Sequence, residues 1–231
     1  MTGPTGSGKS TTLYAALDQL IKRDLSVVTV EEPVEFHIPG IDQVQVNEHT
    51  GLTFPRALRN ILRHDPDVIM IGEIRDEDTA RIAVQSSLTG HLVLSTLHTN
   101  SAIGAVGRLF EMGVETYLLA PTLLCVLAQR LLKKNCLHSL IEDRVSDTVW
   151  QQLGFKAGEK FYRGKGCEAC DGRGRKGRVG VYEMLSITGE LRAMISGRKT
   201  EAEIFELACR QGMVPLLENA KPLVRQKIYI H

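Results

Sequence analysis

Gly3-Pro4-Thr5-Gly6-Ser7-Gly8-Lys9-Ser10 fits the phosphate-loop pattern G-x-x-x-x-G-K-[ST] without a gap. Such a loop joins a buried strand to a helix, and here only Met1 and Thr2 precede it. Its glycines let backbone N–H groups curl around phosphate oxygens. In that geometry Lys9 reaches the β- and γ-phosphates and Ser10 holds Mg²⁺. The stretch that follows, Thr11 to Arg23, carries Leu13, Ala16, Leu17, Leu20 and Ile21 at helical spacing. The loop therefore feeds a helix N-terminus, where an anion is favoured. The segment Gly3 to Thr11 is the expected nucleotide-binding stretch.

Short β-branched runs alternate with helical patterns downstream. Strands are expected at 26–30, 41–46, 68–71 and 92–97. Helices are expected at 53–64, after Asp76, and at 102–110. This order argues for an α/β fold with a mainly parallel sheet, whose ligands gather at the carboxyl ends of the strands. From Lys133 to Gly180 the chain is rich in Gly, charge and Cys, with little periodicity. After Val181 helices are expected near 190–196, 201–211 and 216–226. The organisation is read as a nucleotide core at 1–132, a cysteine-bearing insert at 133–180 and a helical subdomain at 181–231.

With 231 residues the chain can bury a sizeable core. A net charge of +1 gives no global attraction to nucleic acid, and no apolar run reaches membrane-spanning length. A cytoplasmic location is expected, with the five cysteines serving as thiols or metal ligands.

Three polar segments follow or flank the apolar strands: Glu31-Glu32-Pro33-Val34-Glu35, Gly72-Glu73, and Gly90-His91 with His98. A carboxylate after the first strand can orient or deprotonate an attacking water. Glu73 stands where a carboxylate holds Mg²⁺ through water, and the two histidines are candidates to contact the γ-phosphate. Residues 29–35, 62–76 and 89–100 resemble the Asp box, Walker B and His box of the secretion ATPase superfamily. The match is closest to the type II secretion and type IV pilus assembly ATPases and covers nearly the whole chain. This resemblance implies a RecA-like P-loop core, ATP and Mg²⁺ as ligands, a homohexamer, and an inner-membrane platform protein as partner. It makes Glu35 the catalytic glutamate, Glu73 the Walker B carboxylate, and His91 and His98 the His-box residues. The family usually has Asp where this chain has Glu32. Arg75, Arg56, Arg59 and Arg63 are candidates to reach a neighbouring subunit, with solvated faces and local ion pairs as the alternative.

Cys167-Glu168-Ala169-Cys170 is half of a structural zinc site. Cys136-Leu137-His138-Ser139 stands where the resembled assembly ATPases have a second C-x-x-C pair. Zn²⁺ on Cys136, Cys167 and Cys170, with His138 as a fourth ligand, is one reading; reduced thiols in a loop are the other. The cysteine insert favours an assembly motor, because the resembled retraction ATPases usually lack it. Cys125 and Cys209 are expected to pack in helices. Two functions are carried forward: an ATP-hydrolysing motor subunit, or a truncated remnant that binds nucleotide without turnover. Nucleic acid is not expected as a partner.

Overall fold

A computed structural model describes residues 1–144, 146, 148, 152–156 and 159–229. Contacts divide the chain into two compact units, residues 1–128 with 184–213 and residues 129–183 with 214–231. This differs from the expected partition. The C-terminal helices do not form a subdomain of their own: two belong to the first unit and the last to the second. The part of the expected insert at 145, 147, 149–151 and 157–158 lies outside the described residues.

The first unit is built on a parallel sheet of order β2-β1-β3-β4, comprising β1 (Val27–Glu31), β2 (Asp42–Gln45), β3 (Val68–Ile71) and β4 (Leu92–Ser95). All residues of β1 and β3 are buried, as expected for strands covered on both faces. Helix α1 (Lys9–Ile21) sets Leu13, Tyr14 and Leu17 against Val27, Val68 and Met70. Helix α2 (Phe54–Ile61), with Pro55 in its first turn, brings Ala57 and Ile61 to Val28 and Val44 of the opposite face. Helix α3 (Glu77–Leu88) starts where Asp76 Oδ1 accepts the Thr79 N–H at 2.8 Å. Helix α4 (Ala102–Glu111) starts in the same way, with Ser101 Oγ accepting from the Gly104 N–H at 3.1 Å. These side chains satisfy N–H groups that the first helical turn leaves without a partner. Helices α5 (Thr116–Thr122), α6 (Gly189–Ser196) and α7 (Glu201–Arg210) complete the unit.

Met1 and Thr2 lead into the loop and bond to the chain on either side. The Thr2 N–H donates to Leu127 at 2.8 Å and the Leu97 N–H donates to Met1 at 2.8 Å, giving parallel bridges to Leu97 and Ala128. Upstream of that bridge, β4 is only half-buried despite Leu92, Val93 and Leu94. A cleft of about 640 Å³ runs beside it, lined by Met1, Leu94, Leu109, Leu119 and Val126 among others.

Strand β5 (Cys125–Asn135) pairs with β8 (Arg175–Ser186), and β6 (Leu140–Asp143) pairs antiparallel with β7 (Phe161–Gly164). Cys125 thus opens a strand, not the helix expected for it, and is exposed. In the second unit Phe155, Phe161 and Val224 form a small core, the last of them on helix α8 (Leu216–Arg225).

Candidate functional site

The phosphate loop closes on itself. Gly6 and Gly8 take φ of 77° and 84°, a left-handed backbone that a side chain would strain. The Ser7 N–H donates to Pro4 at 3.2 Å, and Gly8 is the N-cap of α1. Lys9 is buried, and its Nζ donates to the carbonyls of Gly3 at 2.9 Å and Pro4 at 3.2 Å. These two bonds hold the ammonium at the centre of the loop. Pro4, Thr5, Gly6 and Thr11 are exposed, while Ser10 is partly so. The loop follows Thr2, which bridges Leu97 beyond the carboxyl end of β4. It therefore lies at the sheet edge where β1 and β3 also end.

At the end of β3, Glu73 gathers a polar cluster. Its Oε2 accepts from Arg75 Nε and lies 3.5 Å from His98 Nε2. Arg75 Nη1 reaches Glu32 at 3.5 Å, so residues following β1, β3 and β4 meet in one network. Glu73's hydrogen bond keeps the Arg75 guanidinium more firmly protonated than usual. Arg75 is thus held within its own chain, and Arg56 Nη1 donates to the Gly51 carbonyl at 3.2 Å. Arg59 and Arg63 are exposed.

The residues after β1 divide into two kinds. Glu31 is buried and its carboxylate is fully engaged. Thr29 Oγ1 donates to Oε1 at 2.6 Å, Gln43 Nε2 to the same oxygen at 3.1 Å, and the Tyr14 hydroxyl to Oε2. Burial, then the Glu31 hydrogen bond, push the Tyr14 phenol well above the usual tyrosine range. Glu35 is exposed, and its N–H donates to Tyr14 Oη at 3.4 Å. Its carboxylate remains on the solvent side at the carboxyl end of the sheet. The engaged Glu31 was not singled out from the sequence. The available signal was Tyr14 on the buried stripe of α1, because a buried phenol requires a partner for its hydroxyl.

The two histidines are not brought together. His98 follows the carboxyl end of β4, whereas His91 precedes its first residue. At about 3.3 Å per residue, seven extended residues span roughly 20 Å. His91 instead lines the apolar cleft, and its Nδ1 lies 3.0 Å from the Ser86 carbonyl. It stands before the first residue of β4, whereas the loop lies beyond that strand's carboxyl end.

Residues 1–230 match the family described as type II/IV secretion system protein. The chain belongs to that family. It is 48% identical over 223 residues to the type IV pilus assembly ATPase PilB of Thermus thermophilus, covering 95% of this chain and 25% of that protein. It is 52% identical over 207 residues to the type II secretion system protein E of Dickeya dadantii, covering 90% of this chain and 42% of that protein. The chain therefore spans less than half the length of these relatives. The crystal structure of the pilus retraction motor PilT with bound ADP superposes with a TM-score of 0.72 at 29% identity. It covers 99% of this chain and 57% of that one. The Legionella pneumophila ATPase DotB superposes with a TM-score of 0.71 at 25% identity, over 100% of this chain and 56% of that one. These matches bear out the α/β fold with its parallel sheet and RecA-like P-loop core.

The second unit of this family member holds a separate cluster. Cys136, Cys167 and Cys170 present thiols that all lie within 4.8 Å of one another. Cys136 Sγ is 3.7 Å from Cys167 Sγ, which is 3.8 Å from Cys170 Sγ. Cys170 Sγ accepts from the Cys167 N–H at 3.3 Å and the Gly174 N–H at 3.2 Å. These bonds lower its pKa to about 7. Thiolates 2.3 Å from a tetrahedral ion would be about 3.8 Å apart, so the spacing fits Zn²⁺. His138 is exposed and outside this group. The reading that made His138 a fourth ligand is therefore not matched by its position.

Proposed function

We propose that the chain is the nucleotide-hydrolysing portion of a motor that drives type II secretion or type IV pilus assembly. The observation that carries this reading is the shared sheet edge. The loop holding Lys9, the Glu73 cluster and the Glu31–Glu35 segment all follow strand ends on that side. Gly3 to Thr11 would cradle ATP, with Lys9 on its phosphates and Ser10 on Mg²⁺. Glu73 would hold the ion through water, and Glu35 would orient the attacking water. His98, already beside Glu73, would sense the phosphate. Positioning and electrostatics of this kind supply most of the catalysis in phosphoryl transfer. The motor is proposed to act as a cytoplasmic homohexamer, held at the inner membrane through a platform protein. The alternative of a remnant that binds nucleotide without turnover is not favoured, because the relatives this chain matches are named as secretion and pilus ATPases.

Lys9→Ala is the decisive variant, assayed for phosphate release in the longest natural form of the protein. Turnover should fall to background; unchanged hydrolysis would sink the assignment. We also propose that Cys136, Cys167 and Cys170 hold Zn²⁺, which would tie the turn at 136–139 to the turn at 167–170. Metal analysis of purified protein should give about one equivalent. Less than half an equivalent, removable without loss of stability, overturns the zinc reading.

A further inference from the structure

The two turns that carry the thiols share a 3₁₀ segment but leave it differently, extended at Leu140 and left-handed at Asp171, and they differ in their last residue. Cys136 is followed by a 3₁₀ turn, Leu137–Ser139, and Cys167 by another, Glu168–Cys170. The Ser139 N–H donates to the Cys136 carbonyl at 3.1 Å, and the Cys170 N–H to that of Cys167 at 3.2 Å. Ser139 therefore occupies in the first turn the position that Cys170 occupies in the second. Its hydroxyl hydrogen-bonds the Cys167 thiol and also accepts the Gly166 N–H at 3.2 Å. The residue standing where a fourth cysteine would be is thus an alcohol already committed to two neighbours.

Three thiolates at tetrahedral spacing leave one coordination position to fill. A neutral hydroxyl is a far weaker zinc ligand than a thiolate, and sites with three protein ligands take water or another small donor in the fourth position. We propose that the metal bound by Cys136, Cys167 and Cys170 keeps an exchangeable fourth position beside Ser139, open to a small external donor. The inference rests on the zinc reading above and goes beyond it. The site would be a three-thiolate site with one labile position, in contrast to a closed structural one. A weaker hold on the ion follows, since one strong bond of four is missing.

Co²⁺ serves as the probe, loaded into the full chain in place of zinc and followed by its visible absorption. Imidazole titrated into the wild-type complex should change the spectrum saturably as it enters the fourth position. Ser139→Cys should supply a fourth thiolate, strengthen the thiolate-to-metal charge-transfer band and remove the response to imidazole. The same variant should retain zinc against a chelator at least tenfold better than wild type. A wild-type complex that binds Co²⁺ but ignores imidazole overturns the open position and leaves the zinc reading standing. Failure of the wild-type chain to bind either metal overturns both. The wild-type titration decides the matter even if Ser139→Cys does not fold.

Discussion

The Tyr14 hydroxyl donates to the buried carboxylate of Glu31, joining the helix after the phosphate loop to the strand that ends beside it. Glu31 also takes donors from Thr29 and Gln43, so one carboxylate ties α1, β1 and β2 together. Removing the Tyr14 donor leaves a buried charge with one partner fewer. Tyr14→Phe is therefore expected to destabilise the protein by about 1–3 kcal/mol. A denaturation midpoint equal to wild type would show that the bond carries no net stability.

Glu73 should separate binding from turnover. Glu73→Gln keeps the shape and still offers an oxygen to Arg75, but it removes the charge that would hold Mg²⁺ through water. Hydrolysis is expected to drop on the order of 10²-fold or more while nucleotide binding persists. Equal losses of binding and turnover would instead make Glu73 a structural residue.

Local chemistry explains which features could be read in advance. Val68–Ile71 was legible to the residue because a continuous apolar run is bounded by Asp67 and Gly72. Asp76 and the loop glycines announced their turns for equally local reasons. Strand β8 was not legible, since it begins Arg175-Lys176-Gly177-Arg178 and those residues are exposed. Buried and exposed positions alternate only from Val181 onward, and there the buried Glu183 and the exposed Met184 hide the pattern from the sequence. The C-terminal helices were found, but their division between two units depends on long-range contacts that no local pattern encodes. His91 and His98 were legible as the residues flanking one strand, and only the folded chain shows which of them stands beside Glu73. Ser139 was visible as a departure from a cysteine pair, and only the folded chain showed it ending a 3₁₀ turn after Cys136 as Cys170 ends one after Cys167.

Thr2 gives the loop a mechanical connection. Its Oγ1 meets the Leu97 and Thr99 carbonyls at 3.1 Å each, lies 2.6 Å from Thr99 Oγ1, and accepts the Thr99 N–H at 2.9 Å. Thr99 Oγ1 in turn reaches the carbonyl of Ser101, the residue that caps α4. A displacement of the loop as its phosphate leaves would pull on Thr2 and be delivered to the head of α4, as a latch transmits the turn of a key. Thr2→Val keeps the volume and removes the latch. Hydrogen exchange at the first turn of α4 should then cease to respond to nucleotide; an undiminished response would place the transmission elsewhere.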